Sequence, residues 1–562
     1  MLSPFARLRA CLEAIYDSAT AARAYEQIKA LLTTIQLPPT RADFLSEGGL
    51  ALITYGDSLR GAGESPLYTL HQFLRERLQG VVDTVHILPF YHWSSDDGFS
   101  VIDYQAVDSA LGSWADIESL GQNFRLMFDA VINHMSAQSG WFQAFLNRDP
   151  DYAARFFVES PQADLSAVTR PRISPLLTSF TLSSGQTVHV WTTFSADQVD
   201  LDYRDPRTLL AILDVLLFYV GKGAQVIRLD AIAYMWKAAG TSCIHLPQTH
   251  ALIRLIRAAL DVAAPHVTLI TEANVPHAEN TAYFGDGTDE AQLVYNFTLP
   301  PLLLHSMIRE DGGKLVNWIN SLETPSNRTA FFNFTASHDG IGVRPVEGIL
   351  TRDELAGLVD LTLKRGGRVS YKRNPDGTDS PYELNVTYVD ALADPALPLD
   401  LQVWRFLLSQ GVMLALAGVP VVYIHSLLGS HNDLEGMQQS GINRAKLELE
   451  QVYAELETPG SFRARVFDAY CMMIRARRAS SAFHPAGSQH AQGLNEGRVL
   501  WLERVAPEGV PQARVVVLLN LSGTSQTVAE VPGGIHLLTR GQFIGGVIPL
   551  APYEMHWIKV VE

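Results

Sequence analysis

The sequence predicts an α/β fold: a (β/α)8 TIM barrel with inserted subdomains after strands 3 and 7, followed by a C-terminal antiparallel β-sandwich domain. Three observations carry this reading. Eight short apolar runs, each ending in polar or charged residues, alternate with helical patterns, which is the signature of a parallel sheet. Two of the intervals between runs are too long for ordinary βα loops. From about Pro485 the pattern changes to short alternating runs, RVLWLERV, ARVVVLLNL and MHWIKVVE, broken by Gly and Pro, as antiparallel strands with one buried face require.

The eight runs are LALITYG before Asp57, TVHILPF ending at Phe90, LMFDAVIN before His134 and QVIRLDA around Asp230. VTLITEA around Glu272, QLVYNF ending at Phe297, TAFFNFTASHD ending at Asp339 and VPVVYIH ending at His425 complete the set. Each is rich in Val, Ile, Leu or Phe, as a strand covered on both faces must be, and eight strands close a barrel. An open, doubly wound sheet is the alternative for the same runs. Residues 1–47 read as an N-terminal extension of two amphipathic helices. The barrel then occupies 48–134, 206–340 and 399–484, the insertions 135–205 and 341–398, and the terminal β domain 485–562. Within the second insertion a helical pattern near Thr351 to Lys364 leads into YKRNPDGTDSPYELN. Its Asn-Pro, Asp-Gly and Ser-Pro pairs predict a mobile loop over the site.

Composition excludes several classes of function. Apolar types make up 47% of the 562 residues and charged types 18%, which suits a large buried core and rules out a disordered chain. Lys plus Arg number 43 against 59 Asp plus Glu, for a net charge of −16. With no long basic block, nucleic acid is not an expected partner. Cys11, Cys243 and Cys471 are far apart and form no CxxC, so neither a disulfide framework nor a zinc site is implied. No signal-peptide core and no uninterrupted apolar stretch of about 18 residues is present. The expectation is a soluble cytoplasmic protein with no membrane partner; a homodimer is left open.

Catalysis in such barrels sits at the C-terminal ends of several strands, and three carboxylates end runs there: Asp230, Glu272 and Asp339. Arg228 lies two residues before Asp230 and so on the same strand face. A single Asp in such a place is more often a loop hydrogen-bonder or helix N-cap, so the argument rests on the set. Breaking a glycosidic bond with retention needs one ionised carboxylate to attack the anomeric carbon and one protonated carboxyl to donate to the leaving oxygen, about 5 Å apart. Arg228 favours ionised Asp230, whereas burial or neighbouring negative charge keeps Glu272 protonated.

FDAVINH, QVDLDY, VIRLDAIAY, LITEAN and FTASHD follow one another in that order, and this constellation resembles the α-amylase family of glycoside hydrolases over nearly the whole chain. The resemblance implies Asp230 as nucleophile, Glu272 as general acid/base and Asp339 as the third carboxylate, with Arg228, His134 and His338 binding the sugar. Asn133 matches a position that often holds calcium in amylases; without a convincing set of further oxygen ligands, no metal is expected.

HILPFYHWSSDDGF, TRPRISP, FSADQVDLDY, AGTSCIHLP, FTLPPLLLH and SGINRAK are similar to a narrower branch, the sucrose phosphorylases and their relatives. By that resemblance Asp96 and Arg444 close the glucose pocket, Phe99 supplies an apolar platform and Gln198 lines the same subsite. Inorganic phosphate is then the co-substrate, with no other cofactor, and Arg172, Lys372, Arg373 and Tyr382 are its expected cationic and polar partners. The acceptor loop departs from the sucrose phosphorylase pattern LDLYQ: it reads DSPYELN, with Glu383 in place of the glutamine. A carboxylate there accepts hydrogen bonds from a small polyol and repels an anion. The resemblance therefore points to 2-O-α-glucosylglycerol phosphorylases, with the glucoside, glycerol and phosphate as small-molecule partners. Glucosylglycerate phosphorylase is the alternative, since Lys372 and Arg373 suit a carboxylate, as is sucrose or sucrose 6′-phosphate phosphorylase. An α-glucosidase and a non-catalytic barrel subunit are the remaining readings.

Overall fold

The computed structural model describes residues 2–33, 44–374, 376–434 and 441–561. The end of the N-terminal extension (34–43), Pro375 of the predicted loop and Ser440 at the head of SGINRAK lie outside them. Eight parallel strands form a closed barrel: β1 (Ala51–Thr54), β2 (Thr84–Ile87), β3 (Arg125–Ala130), β4 (Ala224–Leu229), β5 (Thr268–Thr271), β6 (Leu293–Tyr295), β7 (Ala330–Asn333) and β8 (Val419–Tyr423). Each pairs with the next, and β8 returns to β1 with Val421 opposite Ala51. These are the eight runs of the sequence, buried almost residue for residue, because helices cover one side and barrel side chains the other.

The N-terminal helices α1 (Pro4–Ile15) and α2 (Ser18–Thr33) lie on the outside of the barrel. Ser3 caps α1 by accepting from the Ala6 amide, with Pro4 in the first turn, the arrangement that satisfies free amides at least cost. The face carrying Leu8, Cys11 and Leu12 packs on the helix Pro247–Ala263, where Arg7 pairs with Asp261. The buried stripe Ala21, Ala24, Ile28 and Leu32 of α2 runs against the helix Pro206–Gly221.

The first insertion is a small subdomain. His134–Ser136 pairs antiparallel with Gln198–Asp200, a hairpin joins Leu177–Thr181 to Thr187–Trp191, and Phe157, Val168, Leu176 and Trp191 bury together. The second insertion corrects the expectation of a mobile loop. Arg368–Arg373 and Asp379–Asn385 form a β-hairpin, and the second strand also pairs with Ile341–Gly342. Of the turn signals, Asp376-Gly377 falls at the tip, whereas Ser380 and Pro381 lie within the second strand; Val369, Tyr382 and Leu384 are buried, so alternate residues anchor the hairpin.

The C-terminal domain stacks a two-stranded sheet on a six-stranded antiparallel one. Val516 and Leu518 face Val528, Val531 and Leu550 between the sheets, while Val515, Val517 and Leu519 on the opposite face join the barrel's core, as the two-residue period dictates. Two fully buried arginines stitch this junction. Arg477 donates to the carbonyls of Glu47, Leu414, Gly418 and Phe483, and Arg504 to those of Ala415, His484 and Ser488. Burial drives both guanidinium groups down to about 9. Among the described residues no helix is long and apolar enough to cross a membrane.

Replacing Arg477 with Met leaves four carbonyls without their donor. Equilibrium unfolding in urea should show a loss of roughly 3 kcal/mol or more; an unchanged midpoint and slope would remove Arg477 from this structural role.

Candidate active site

The interior of the barrel holds a cation. Arg228 on β4 sits in register with Asp129 on β3, and its side chain is only 3% exposed. Its Nη1 donates to Asp129 Oδ1 and, at 2.7 Å, to Asp230 Oδ1, while Nη2 stands 3.9 Å from Glu272 Oε2. Asp129 in turn pairs with buried His86 at 2.7 Å. Against its own burial, Arg228 and His86 hold Asp129 down at about 2, so this carboxylate is a permanent counter-charge.

Asp230 and Glu272 meet directly after their strands. Ala231, which follows Asp230, takes a left-handed conformation (φ 48°) and donates its N–H to Glu272 Oε2 at 3.0 Å. A non-glycine residue pays for that backbone with about 1 to 3 kcal/mol of strain, and here the strain aims an amide at the second carboxyl. Burial, reinforced by Glu272 and Asp129, pushes Asp230 up against the pull of Arg228; burial likewise raises Glu272, with Asp339 adding to it. Two such carboxyls share protons rather than both ionising. Arg228 is 2.7 Å from Asp230 and 3.9 Å from Glu272, so this cation favours the negative charge on Asp230, while the Ala231 amide favours it on Glu272.

Asp339 stays below the usual carboxylate range although burial opposes it; His338 and Arg444 are the main groups pulling it down. Burial drives His338 itself to about 3, so at neutral pH the ring is uncharged and the attraction comes from Arg444, 3.5 Å away. Arg444 also donates to the His338 carbonyl at 2.9 Å and to Asp97 at 2.8 Å, and lies 3.9 Å from Asp96. Phe99 stacks flat on His338 with ring centroids 5.0 Å apart. His134 Nε2 donates to the Phe99 carbonyl at 3.0 Å, and Gln198 Nε2 donates to Asp96 at 3.2 Å. Burial pushes Asp96 upward against the pull of Arg444 and Arg172.

The loop bearing Asp96 is held by a residue that sequence reasoning passed over. Asp96 and Asp97 both have positive φ, and at Gly98 (φ 106°) a Cβ would stand 2.4 Å from the Pro89 carbonyl, so only glycine fits. Asp197 Oδ2 accepts from Ser94 and Ser95 at 2.5 Å each and from Ser100 at 2.7 Å, while Ser136 reaches Oδ1 at 3.4 Å. Although burial opposes it, these hydroxyls keep Asp197 below its usual range. The serines of WSSDDGFS and the Asp before Gln198 were visible, but nothing in their spacing joined them.

Arg172, Tyr382 and Glu383 line the same cavity as Asp96, Asp230 and Glu272, with Tyr234 and Asn274 also in its wall. The Arg172 guanidinium lies over the Tyr382 ring, 5.4 Å from its centroid, and makes no hydrogen bond or ion pair with the described residues. Burial raises Glu383 to about 7 in spite of Arg172, so near neutrality it is half protonated. Lys372 and Arg373 are corrected: they point away on the hairpin, paired with Glu347 at 3.2 Å and Asp379 at 2.7 Å, and do not line the cavity. As neighbours in one strand they lie on opposite faces, and it is their ion pairs with Glu347 and Asp379, on a hairpin anchored by its own pairing, that hold them outside the cavity, where a loop would have left them free to turn in. Asn133 receives an ammonium instead of a metal: Lys237 Nζ donates to its Oδ1 at 2.8 Å.

Comparison with known proteins agrees with this architecture. A family model described as alpha amylase, catalytic domain, matches residues 77–339. The glucosylglycerate phosphorylase of Allomeiothermus silvanus is 48% identical over 519 residues, spanning 91% of this chain and 91% of that protein. The glucosylglycerol phosphorylase of Marinobacter adhaerens is 30% identical over 433 residues, spanning 74% of this chain and 85% of that protein. The crystal structure of sucrose 6F-phosphate phosphorylase from Thermoanaerobacter thermosaccharolyticum matches with a TM-score of 0.73 at 26% identity, covering 84% of this chain and 94% of that one. With the closed barrel, its strand-end carboxylates and these likenesses together, the chain belongs to the α-amylase family, in its sucrose phosphorylase branch of glucoside phosphorylases.

Proposed function

We propose that this protein catalyses the reversible phosphorolysis of α-glucosylglycerate to α-glucose 1-phosphate and glycerate. The observation that carries the choice of acceptor is the 48% identity over nine-tenths of the chain to a glucosylglycerate phosphorylase, against 30% over three-quarters to a glucosylglycerol phosphorylase. This replaces glycerol, the acceptor that Glu383 suggested from sequence. A carboxyl raised to about 7 beside a guanidinium is a weak source of repulsion, and Arg172 makes no hydrogen bond or ion pair with the described residues and has only the Tyr382 ring against it, so the acceptor end suits an anion.

Asp230 attacks the anomeric carbon while Glu272 gives its proton to the glycerate oxygen, leaving a β-glucosyl ester on Asp230. Phosphate then attacks the same carbon, the ester bond breaks, and a phosphate proton returns to Glu272. Asp96, Arg444 and Asp339 hold the glucosyl hydroxyls, with Phe99, His134, His338 and Gln198 completing that subsite. Arg172, Tyr382 and Glu383 serve glycerate and phosphate in turn. Phosphate is the co-substrate and no further cofactor enters the reaction.

Three outcomes test this. Phosphorolysis should favour glucosylglycerate over glucosylglycerol and sucrose by roughly 10- to 100-fold in kcat/KM, the worth of one charge-assisted contact; a preference for glucosylglycerol would return the acceptor to glycerol. Asp230→Asn should cut turnover by about 10^4-fold or more, whereas Glu272→Gln should lose glucosylglycerate turnover yet still use α-glucosyl fluoride, whose leaving group needs no proton. In the synthetic direction the KM for glycerate should rise as pH passes upward through about 7, because ionised Glu383 repels the acceptor. Glu383→Gln should flatten that rise, and an identical pH profile in the variant would clear Glu383 of the effect.

A further inference from the structure

Lys237 carries an ammonium that none of these roles uses. Its side chain is 1% exposed, and Nζ lies 2.8 Å from Asn133 Oδ1 and 2.7 Å from Asp200 Oδ2. Three segments meet at this charge. Asn133 follows β3 and precedes His134; Asp200 ends the strand that begins at Gln198; Lys237 lies beyond Asp230 and Tyr234 on the loop after β4. His134, Gln198, Asp230 and Tyr234 all line the cavity. Asp200 is fully satisfied around the ammonium, accepting from Thr193 Oγ1 at 2.6 Å, the Thr193 amide at 3.0 Å and Asn133 Nδ2 at 3.2 Å.

The donor chemistry runs one way through this cluster. An ammonium only donates, so Lys237 obliges Asn133 to present Oδ1 to it and leaves Nδ2 for the other side. That Nδ2 stands 3.2 Å from His134 Nδ1. The Phe99 carbonyl, 3.0 Å from His134 Nε2, can only accept, so the ring carries its proton on Nε2 and needs a donor at Nδ1. With Asn133 turned over, its carbonyl oxygen would face the Nδ1 lone pair. We propose that Lys237 is a positioning residue: by fixing the amide of Asn133 it sets the tautomer and orientation of His134 in the glucosyl pocket, and it binds the Asp230 loop to the inserted subdomain.

This rests on the reading of the cavity as the glucosyl site, and turnover of glucose 1-phosphate by the unaltered protein is the control. If that turnover is missing, the functional reading fails and not the role of Lys237. The informative variant is Lys237→Met/Asp200→Asn, which removes both buried charges together and so avoids stranding either. It should fall roughly 10- to 100-fold in kcat/KM for glucose 1-phosphate, the cost typical of losing a residue that orients a ligand, with KM raised and thermal unfolding close to the parent. Methylammonium should restore activity to Lys237→Ala, while tetramethylammonium, which has charge but no N–H, should not. In the unaltered protein, 15N spectra of histidine-labelled material should show His134 as the neutral Nε2–H tautomer, a readout that needs no variant. Parental kcat and KM in the folded double variant, equal rescue by both amines, or a His134 proton on Nδ1 would each overturn the proposal.

Discussion

The buried guanidinium of Arg228 is the constraint on which the site depends. A cation with a nearly inaccessible side chain inside a barrel is tolerable only with compensating charge at hydrogen-bond distance, and Asp129 and Asp230 supply it on the same nitrogen. Asp129, paired again to His86, is the permanent partner. Asp230 is the second, and it faces the cavity. Because one carboxyl of the Asp230–Glu272 pair touches this cation and the other stands off from it, two chemically similar groups feel it unequally. The asymmetry that acid/base work with two carboxyls requires therefore follows from how one arginine is neutralised.

Around this centre the backbone is held in conformations it would not choose alone. Ala231, Asp96 and Asp97 all have positive φ; Ala231 and Asp96 line the cavity, and Asp97 accepts from Arg444, which lines it too. Such strain persists only if neighbours over-determine it. The hydroxyls gathered on Asp197 and the contacts of Arg444 with Asp97 and the His338 carbonyl do so for the Asp96 loop. The Glu272 carboxyl does so for Ala231. Polar contacts that stabilise the fold and those that shape the cavity are thus largely the same contacts.

The acceptor end shows how a residue's type differs from its state. Glu383 read from sequence is an anion that rejects anions. In the folded chain it is buried, raised to about 7 and set against Arg172, which weakens that argument at its source. Lys372 and Arg373 show the complementary error: the charges are there, but the partners Glu347 and Asp379 hold them out of the cavity. In YKRNPDGTDSPYELN the Asp-Gly pair falls at the tip, but the Ser-Pro pair lies within a paired strand, so turn signals alone did not show the pairing of the flanks.

The sequence by itself determined the eight strands, the helical extension, the two insertions and the terminal β domain, because burial on both faces or on one leaves a period in the residues themselves. It also determined which carboxylates end the runs, since those that become β4, β5 and β7 bring Asp230, Glu272 and Asp339 in order along the chain. Only the tertiary structure decided the raised carboxyl of Glu383, the outward turn of Lys372 and Arg373, and the use of Asp197 and Lys237 as internal ties. Those properties depend on distances between segments far apart in the chain and on how much water each charge keeps, and neither quantity is written in local spacing.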